Sequence, residues 1–432
     1  MNKKEFAELI NEGLLVLDGA TGTELVKRNM PKSVCPELWC MENPHAVKDL
    51  QSKYAAAGSR IIYAPTFGAN RIKLAEFGLA ERLYEINRFL AELSIESSAG
   101  AFVFGDLAPT GRFVEPFGNM PFEEAVSVYS EQAGALLEAG VEGFVIETML
   151  DIQEARAALI AVKELCDLPV MVSMTYESDG RTLNGTDPVS ALITLQSLGA
   201  DAVGCNCSTG PDDMLKIIKE IKKYATVPLL AKPNAGMPRL KNGETIFTMG
   251  AEEFASFVPH FIEAGVNIMG GCCGTTPEHI NAVSEKSRGF KTANPLIKGI
   301  SAVSSARASV FPGDGSPFTV IGERINPTGK KALQAELREG KTGMVQDFAF
   351  DQEVKGASIL DVNMGLSGID EKEMMLKSVK LLSRVSSLPL CIDTTNPEIV
   401  EAALRIYPGR AIVNSVSGER ERIEKTLPAA AK

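Results

Sequence analysis

Two thiols stand side by side at Cys272-Cys273, inside the run Gly270-Gly271-Cys272-Cys273-Gly274 that follows the short apolar stretch Val266-Asn267-Ile268-Met269. A second thiol cluster, Cys205-Asn206-Cys207, ends another apolar run about 65 residues upstream. Glycine supplies no packing and costs backbone entropy, so glycines wrapped around paired thiols call for a reason other than a core. Thiolates grouped at two strand ends suit a soft or borderline cation, with Zn²⁺ the default. Consecutive strand residues point to opposite faces, so Cys272 and Cys273 share a target only where the strand breaks, as the glycines permit. Cys207, Cys272 and Cys273 give three ligands and an open fourth position, the pattern of a catalytic rather than a structural zinc site. Cys205, nearer the strand interior, reads as a packed thiol, as do Cys35, Cys40, Cys166 and Cys391. Zinc lowers the pKa of a bound thiol, so a substrate thiol in the fourth position would be a thiolate at neutral pH. The chemistry is then alkylation of sulfur.

Such a site needs strand ends held close together. Eight short β-type runs begin near Leu14, Ile61, Phe102, Gly143, Pro169, Ala202, Leu229 and Val266, with helical patterns between them. Helices are expected over 45–58, 122–140, 211–223 and 251–265, with acids at some starts and Ala-Gly at several ends. Alternating βα units imply a parallel sheet, and eight of them in about 280 residues imply a (β/α)8 TIM barrel with its site at the C-terminal strand ends. The organisation expected is a zinc-binding barrel over 1–290, a Ser-, Ala-, Gly- and Pro-rich linker over 291–316, and a restarted pattern over 317–432. That last segment carries four units, starting near Phe318, Ser358, Pro389 and Ala411, which is half of a second (β/α) barrel.

The bulk numbers exclude other classes. A chain of 432 residues with formal net charge −11 and no basic run is a poor nucleic-acid partner. No apolar run reaches the roughly 18 residues of a membrane span, and the N-terminus lacks a signal-peptide core. No membrane partner and a cytoplasmic location are therefore expected, and in a reducing compartment the eight cysteines read as ligands or packed thiols.

The segments Asp18-Gly19-Ala20-Thr21-Gly22-Thr23-Glu24, Gly204-Cys205-Asn206-Cys207 and Gly270-Gly271-Cys272-Cys273-Gly274 resemble the homocysteine S-methyltransferase family over roughly residues 1–290. The resemblance implies a barrel binding zinc through Cys207, Cys272 and Cys273, with homocysteine as substrate. The segments Gly322-Glu323-Arg324-Ile325-Asn326-Pro327-Thr328-Gly329, Asp361-Val362-Asn363, Ile392-Asp393-Thr394-Thr395-Asn396-Pro397 and Asn414-Ser415-Val416-Ser417-Gly418-Glu419 resemble the pterin-binding barrel of cobalamin-dependent methionine synthases. Together the halves resemble the substrate modules of that enzyme family. The implied cofactors are zinc and methylcobalamin, the latter carried by a cobalamin-binding domain absent from this chain, with 5-methyltetrahydrofolate as second substrate.

The homocysteine ammonium would meet an acid at a strand end, Glu147 first and Asp18 second. Its carboxylate would meet backbone N–H groups near Ala20 and Thr21, or near Thr148, and Asn234 would orient a ligand or substrate. For the folate, Glu323, Asn326, Asp361, Asn363, Asp393 and Asn414 offer acids and amides to a pterin edge. Asp393 or Asn326 would belong to a hydrogen-bond network at N5, the nitrogen that must be positively charged to release its methyl group. Two alternatives stay open: a cobalamin-independent homocysteine methyltransferase using betaine or S-methylmethionine, and a non-enzymatic zinc-storage protein.

Overall fold

A computed structural model of the chain describes residues 1–241, 244–295, 299–313, 315 and 317–431. Eight parallel strands form the first sheet: β1 (Leu15–Val16), β2 (Ile61–Tyr63), β3 (Phe102–Leu107), β4 (Gly143–Met149), β5 (Val170–Met174), β6 (Ala202–Asn206), β7 (Leu229–Lys232) and β8 (Val266–Met269). Each pairs with its neighbour in sequence from β2 to β8, and β8 pairs with β1. A parallel bridge from Leu17 to Ile61 joins β1 to β2 and completes the ring. This is the expected TIM barrel. Strands β4 to β7 are buried at every position, except Thr148 in β4, as strands covered on both faces must be.

The ring is stoppered at its N-terminal end. Phe6, Leu9 and Ile10 of the helix Lys3–Asn11 pack on inward residues including Leu17, Ile61, Phe104, Val145 and Ile268. Asn2 caps that helix, and Glu5 returns the bond in a capping box, which fixes the plug at its start. The C-terminal end is left open for chemistry.

Three of the expected helices match closely: Pro44–Ala56, Phe122–Glu138 and Pro211–Ile221. The fourth does not. Residues 251–265 form two short helices, Ala251–Ala255 and Val258–Glu263. Pro259 has no N–H to give the preceding turn and its ring crowds that turn, so the helix breaks before it.

The restarted pattern gives four parallel strands, β9 (Ile321–Ile325), β10 (Ile359–Asn363), β11 (Leu390–Asp393) and β12 (Ile412–Asn414), in that order across the sheet. One face, with Leu360, Val362, Leu390 and Ile392, packs on helices through Met375, Val379, Leu382 and Ala403. The other face is layered. Ile359 lies at its N-terminal end, Asp361 is level with Cys391 and Ile412, and Asn363, Asp393 and Asn414 lie above them by strand alternation.

The stretch read as a linker over 291–316 includes residues 296–298, 314 and 316, which lie outside the described residues. Within it, Val303–Ser304 and Ser309–Val310 form a short antiparallel pair. Val303 and Val310 pack on Ile359, Cys391 and Ile412, so this hairpin stoppers the second sheet as the first helix stoppers the barrel. It also binds the barrel: Thr194 and Ser304 hydroxyls lie 3.0 Å apart, and the Tyr224 and Phe311 rings stack at 4.3 Å.

The two units meet on a polar seam. Arg156, fully buried in the helix Ile152–Leu165, donates to the carbonyls of Leu404 (3.0 Å) and Arg405 (3.1 Å). Gln153 donates to the carbonyl of Ile406 at 2.7 Å. These are the last carbonyls of the helix Pro397–Ile406, which lack partners inside that helix. Arg405 itself forks onto Glu123 and Glu164 of the barrel.

Candidate metal and substrate centre at the barrel mouth

The three predicted thiols converge. The Sγ atoms of Cys207, Cys272 and Cys273 all lie within 4.8 Å of one another, and Cys207 and Cys273 are 3.9 Å apart. They are the cysteine, histidine or acid group so clustered among the described residues. Cys207 follows β6 directly in a left-handed turn, φ 61°, with Ser208 at φ 51°. Left-handed backbone is unusual for both residue types and aims the sulfur inward instead of along the strand. The turn is tied to β7 by the Cys207 N–H on the Lys232 carbonyl (3.1 Å).

Cys272 and Cys273 sit three and four residues beyond β8, and the glycines explain how. A side chain at Gly270 would strike the Asp18 carbonyl at 2.6 Å and the Leu17 Cβ at 2.8 Å. Gly274, at φ 83°, turns the chain away against the Phe247 ring. The Cys272 N–H bonds the Pro233 carbonyl (2.9 Å), and the Cys273 carbonyl accepts from Ala235 (3.0 Å), so the strand bends and both thiols face one point. Hydrogen bonding from Cys272 and Cys273 pulls the Cys207 thiol down to about 3, and Cys272 is pushed up to about 11 in return. Cys205 is buried at the back of β6, and burial raises its thiol to about 12, as a packed cysteine should be.

Beneath the thiols lies a buried charge cluster. Lys232 Nζ pairs with Asp18 at 3.0 Å, stands 3.7 Å from Glu147, and lies 3.7 Å over the Tyr63 ring. Asp18 also accepts the Tyr63 N–H at 2.8 Å. Burial works against the Lys232 ammonium, but Asp18 and Glu147 outweigh it and hold the lysine well above its ordinary value. Burial raises Glu147 to about 7 against the pull of Lys232, and lifts Asp106 as well, with the Glu147 charge adding to the rise. Glu147 Oε2, Asp106 Oδ1, Asn234 Oδ1 and the Tyr63 hydroxyl are all buried with no hydrogen-bond partner. Buried polar atoms left unmet are what a polar ligand would satisfy.

The predicted carboxylate donors fare differently. The Ala20 N–H is spent on Thr275 Oγ1 (3.0 Å) and the Thr148 N–H on Asn206 Oδ1 (2.8 Å). A neighbouring side chain already uses each of these two bonds. Thr21 remains, at the start of the short helix Gly22–Lys27. Lys232, Asp106 and Asn206 went unassigned in the sequence. Lys232 was legible in principle, as a lysine ending the apolar strand Leu229-Leu230-Ala231.

In the second unit the six predicted polar residues group in pairs. Asn363 donates to Asp393 (2.9 Å), Asn414 to Asp361 (3.2 Å) and Asn326 to Glu323 (2.7 Å). Glu323 and Asp361 lie in the middle of their strands, not at the C-terminal ends. Burial raises Asp361, and its Oδ2 has no partner.

A closed (β/α)8 barrel with grouped thiols and unmatched acids at its C-terminal strand ends is the arrangement of a barrel enzyme. The sequence profile of the homocysteine S-methyltransferase family matches residues 15–287, and the chain belongs to that family. The profile of pterin-binding enzymes matches residues 322–432. The methionine synthase of Mycobacterium tuberculosis is 27% identical over 447 residues, covering 98% of this chain. The chain spans 37% of the length of that curated relative. Among solved structures, the metallated form of the Escherichia coli homocysteine methyltransferase MmuM is similar in fold, with a TM-score of 0.56 and 22% identity over 65% of this chain and 99% of that one. Its oxidized form gives 0.55 and 23%, over 63% and 96%. Among the described residues no helix is long and apolar enough to cross a membrane.

Proposed function

We propose that this chain provides the homocysteine- and folate-binding modules of a cobalamin-dependent methionine synthase. The observation that carries the first half is the convergence of three sulfurs over a pocket of unmatched acceptors. The donor set fits zinc. Zn–S bonds of about 2.3 Å in a tetrahedron separate sulfurs by about 3.8 Å, and Cys207 and Cys273 are already 3.9 Å apart. Cys207, Cys272 and Cys273 would hold the ion and leave its fourth position to substrate. Bound zinc would supply the Lewis acidity that keeps a thiol ionised at neutral pH, and methylcobalamin, on a domain outside this chain, the methyl group.

The protein's own residues select the amino acid. Glu147 Oε2, Asp106 Oδ1 and Asn234 Oδ1 offer acceptors to the homocysteine ammonium, and Lys232 pairs with Asp18 beside them. Thr21 offers its N–H to the carboxylate. Burial excludes water, so each unmatched group penalises an analogue lacking the ammonium. In the second unit Asp361, Asn363, Asp393 and Asn414 form a polar layer on one sheet face, suited to the donors and acceptors of a pterin ring. Asp393 or Asn326 would bond near N5 of methyltetrahydrofolate.

Zinc content and homocysteine-dependent demethylation of free methylcobalamin test this reading, with Cys273→Ser expected to lose both. Full metal and full rate in that variant would overturn it. Turnover with betaine or S-methylmethionine and none with methylcobalamin would replace the donor, and zinc unaffected by homocysteine would leave a storage role.

A further inference from the structure

The acid loop and the thiol cluster are held by one side chain. Asn206, the last residue of β6, is 1% exposed. Its Oδ1 accepts the Thr148 N–H and the Ser173 hydroxyl, both at 2.8 Å. Its Nδ2 donates to Thr148 Oγ1 at 2.7 Å and reaches Cys272 Sγ at 3.8 Å. Every donor and acceptor of the amide is used, and the opposite flip would set an N–H against the Thr148 N–H, so the orientation is fixed. Thr148 stands at φ 62°. A β-branched residue avoids that region, and something must hold it there. Asn206 grips it at both its N–H and its hydroxyl. Thr148 follows Glu147 directly, so this grip sets where the Glu147 carboxyl points.

We infer that Asn206 is a positioning residue that couples the amino-acid pocket to the thiol cluster, fixing the Glu147–Thr148 turn with one hand and steadying the Cys272 sulfur with an N–H from the other. The sulfur arm rests on the zinc reading above, whereas the turn arm does not. Hydrogen-bonding partners behind metal ligands commonly command about 10- to 100-fold in affinity.

Three variants separate the arms: Asn206→Ala, Thr148→Gly and the two combined. Glycine tolerates φ 62° without a clamp, so the double variant should recover thermal stability lost in Asn206→Ala. Zinc affinity is read by competition with a chromophoric chelator, the sulfur environment by the thiolate-to-metal band of the cobalt-substituted protein, and the pocket by calorimetry with methionine. Asn206→Ala should weaken zinc about 10- to 100-fold, shift the cobalt band and weaken methionine binding. Thr148→Gly should weaken methionine binding and keep zinc. The double variant should fold and still show weak zinc and a shifted band. Wild-type zinc affinity and band position in the double variant would overturn the sulfur arm. If the wild type itself holds no zinc, the zinc reading falls, and methionine binding in Asn206→Ala equal to wild type would then overturn the remaining arm.

Discussion

The two parallel sheets are built alike and end differently. Each is stoppered at its N-terminal end by the segment that precedes it, the helix Lys3–Asn11 for the barrel and the hairpin around Val303 and Val310 for the second sheet. Each places polar residues one layer above that plug. In the barrel the polar layer is enclosed: Asp18, Asp106, Glu147 and Lys232 are all at most 8% exposed, and several of their atoms are unmatched. In the second sheet Asn363, Asp393 and Asn414 are half-buried and mostly satisfy one another. Closure is thus what converts a polar layer into an electrostatically demanding site. A ring of strands removes water from every side, and the same residue types cost far more to leave unpaired there.

The largest effect should come from the layer above the enclosed acids. Cys207→Ser or Cys273→Ser removes a first-rank donor, and zinc affinity should fall by more than the roughly 100-fold that supporting residues command. Chelator competition checks it, and the thermal stability of the zinc-free protein should barely move, since the thiols sit at the mouth and not in the core. Next comes Lys232→Met. It leaves Asp18 and Glu147 buried without their cation, a loss of about 3–5 kcal/mol for a broken buried pair. Denaturant unfolding would show it, and an unchanged midpoint would mean the cluster is wetter than its burial implies.

The enclosed rim also titrates. Glu154 is buried, accepts from Thr110 N–H and hydroxyl and from Tyr129, and burial raises it to about 7. Its folded pKa lies above the unfolded value, so between about pH 4.5 and 7 the folded protein keeps a proton that the unfolded chain has released. Stability from this group is therefore present at low pH and is lost as pH rises through that window. Glu154→Gln should flatten the slope, by up to about 3 kcal/mol across the window. Unfolding of both proteins at pH 5 and 8 reads it, and parallel curves would refute the assignment.

The barrel was largely legible because its cues are local and repeated. Near-continuous apolar strands, Ala-Gly helix ends and glycines beside Cys272 and Cys273 each announce their own position. Asn396 before Pro397 likewise caps its helix, accepting from the Glu398 N–H. What escaped depends on long-range partners. Ala20 and Thr148 looked like free donors because Thr275 and Asn206, which consume their bonds, lie 255 and 58 residues away. Lys232 looked like an ordinary strand end until Asp18, 214 residues away, closed on it. The hairpin at Val303 has two-residue strands, too short for any periodicity to register. The break at Ser256–Phe257 was readable from Pro259, but the Ala-Gly ending outweighed it.

The smallest effect should fall on the open sheet, and it bears most directly on the contrast between the two units. Asn363 donates to Asp393 at 2.9 Å, and both are partly exposed. Asn363→Ala lets water replace the amide, so its cost should stay near the roughly 1 kcal/mol of an ordinary hydrogen bond. The barrel seam gives a matched control: Arg156→Met takes a 3% exposed side chain from the carbonyls of Leu404 and Arg405 and should cost about 1–3 kcal/mol. If burial, and not residue type, sets the scale, the two midpoints should separate in that order, while zinc affinity stays level in both. Asn363→Ala matching Arg156→Met would mean that the second sheet's polar layer is enclosed in solution, by chain or partner that covers the open side of β9 to β12.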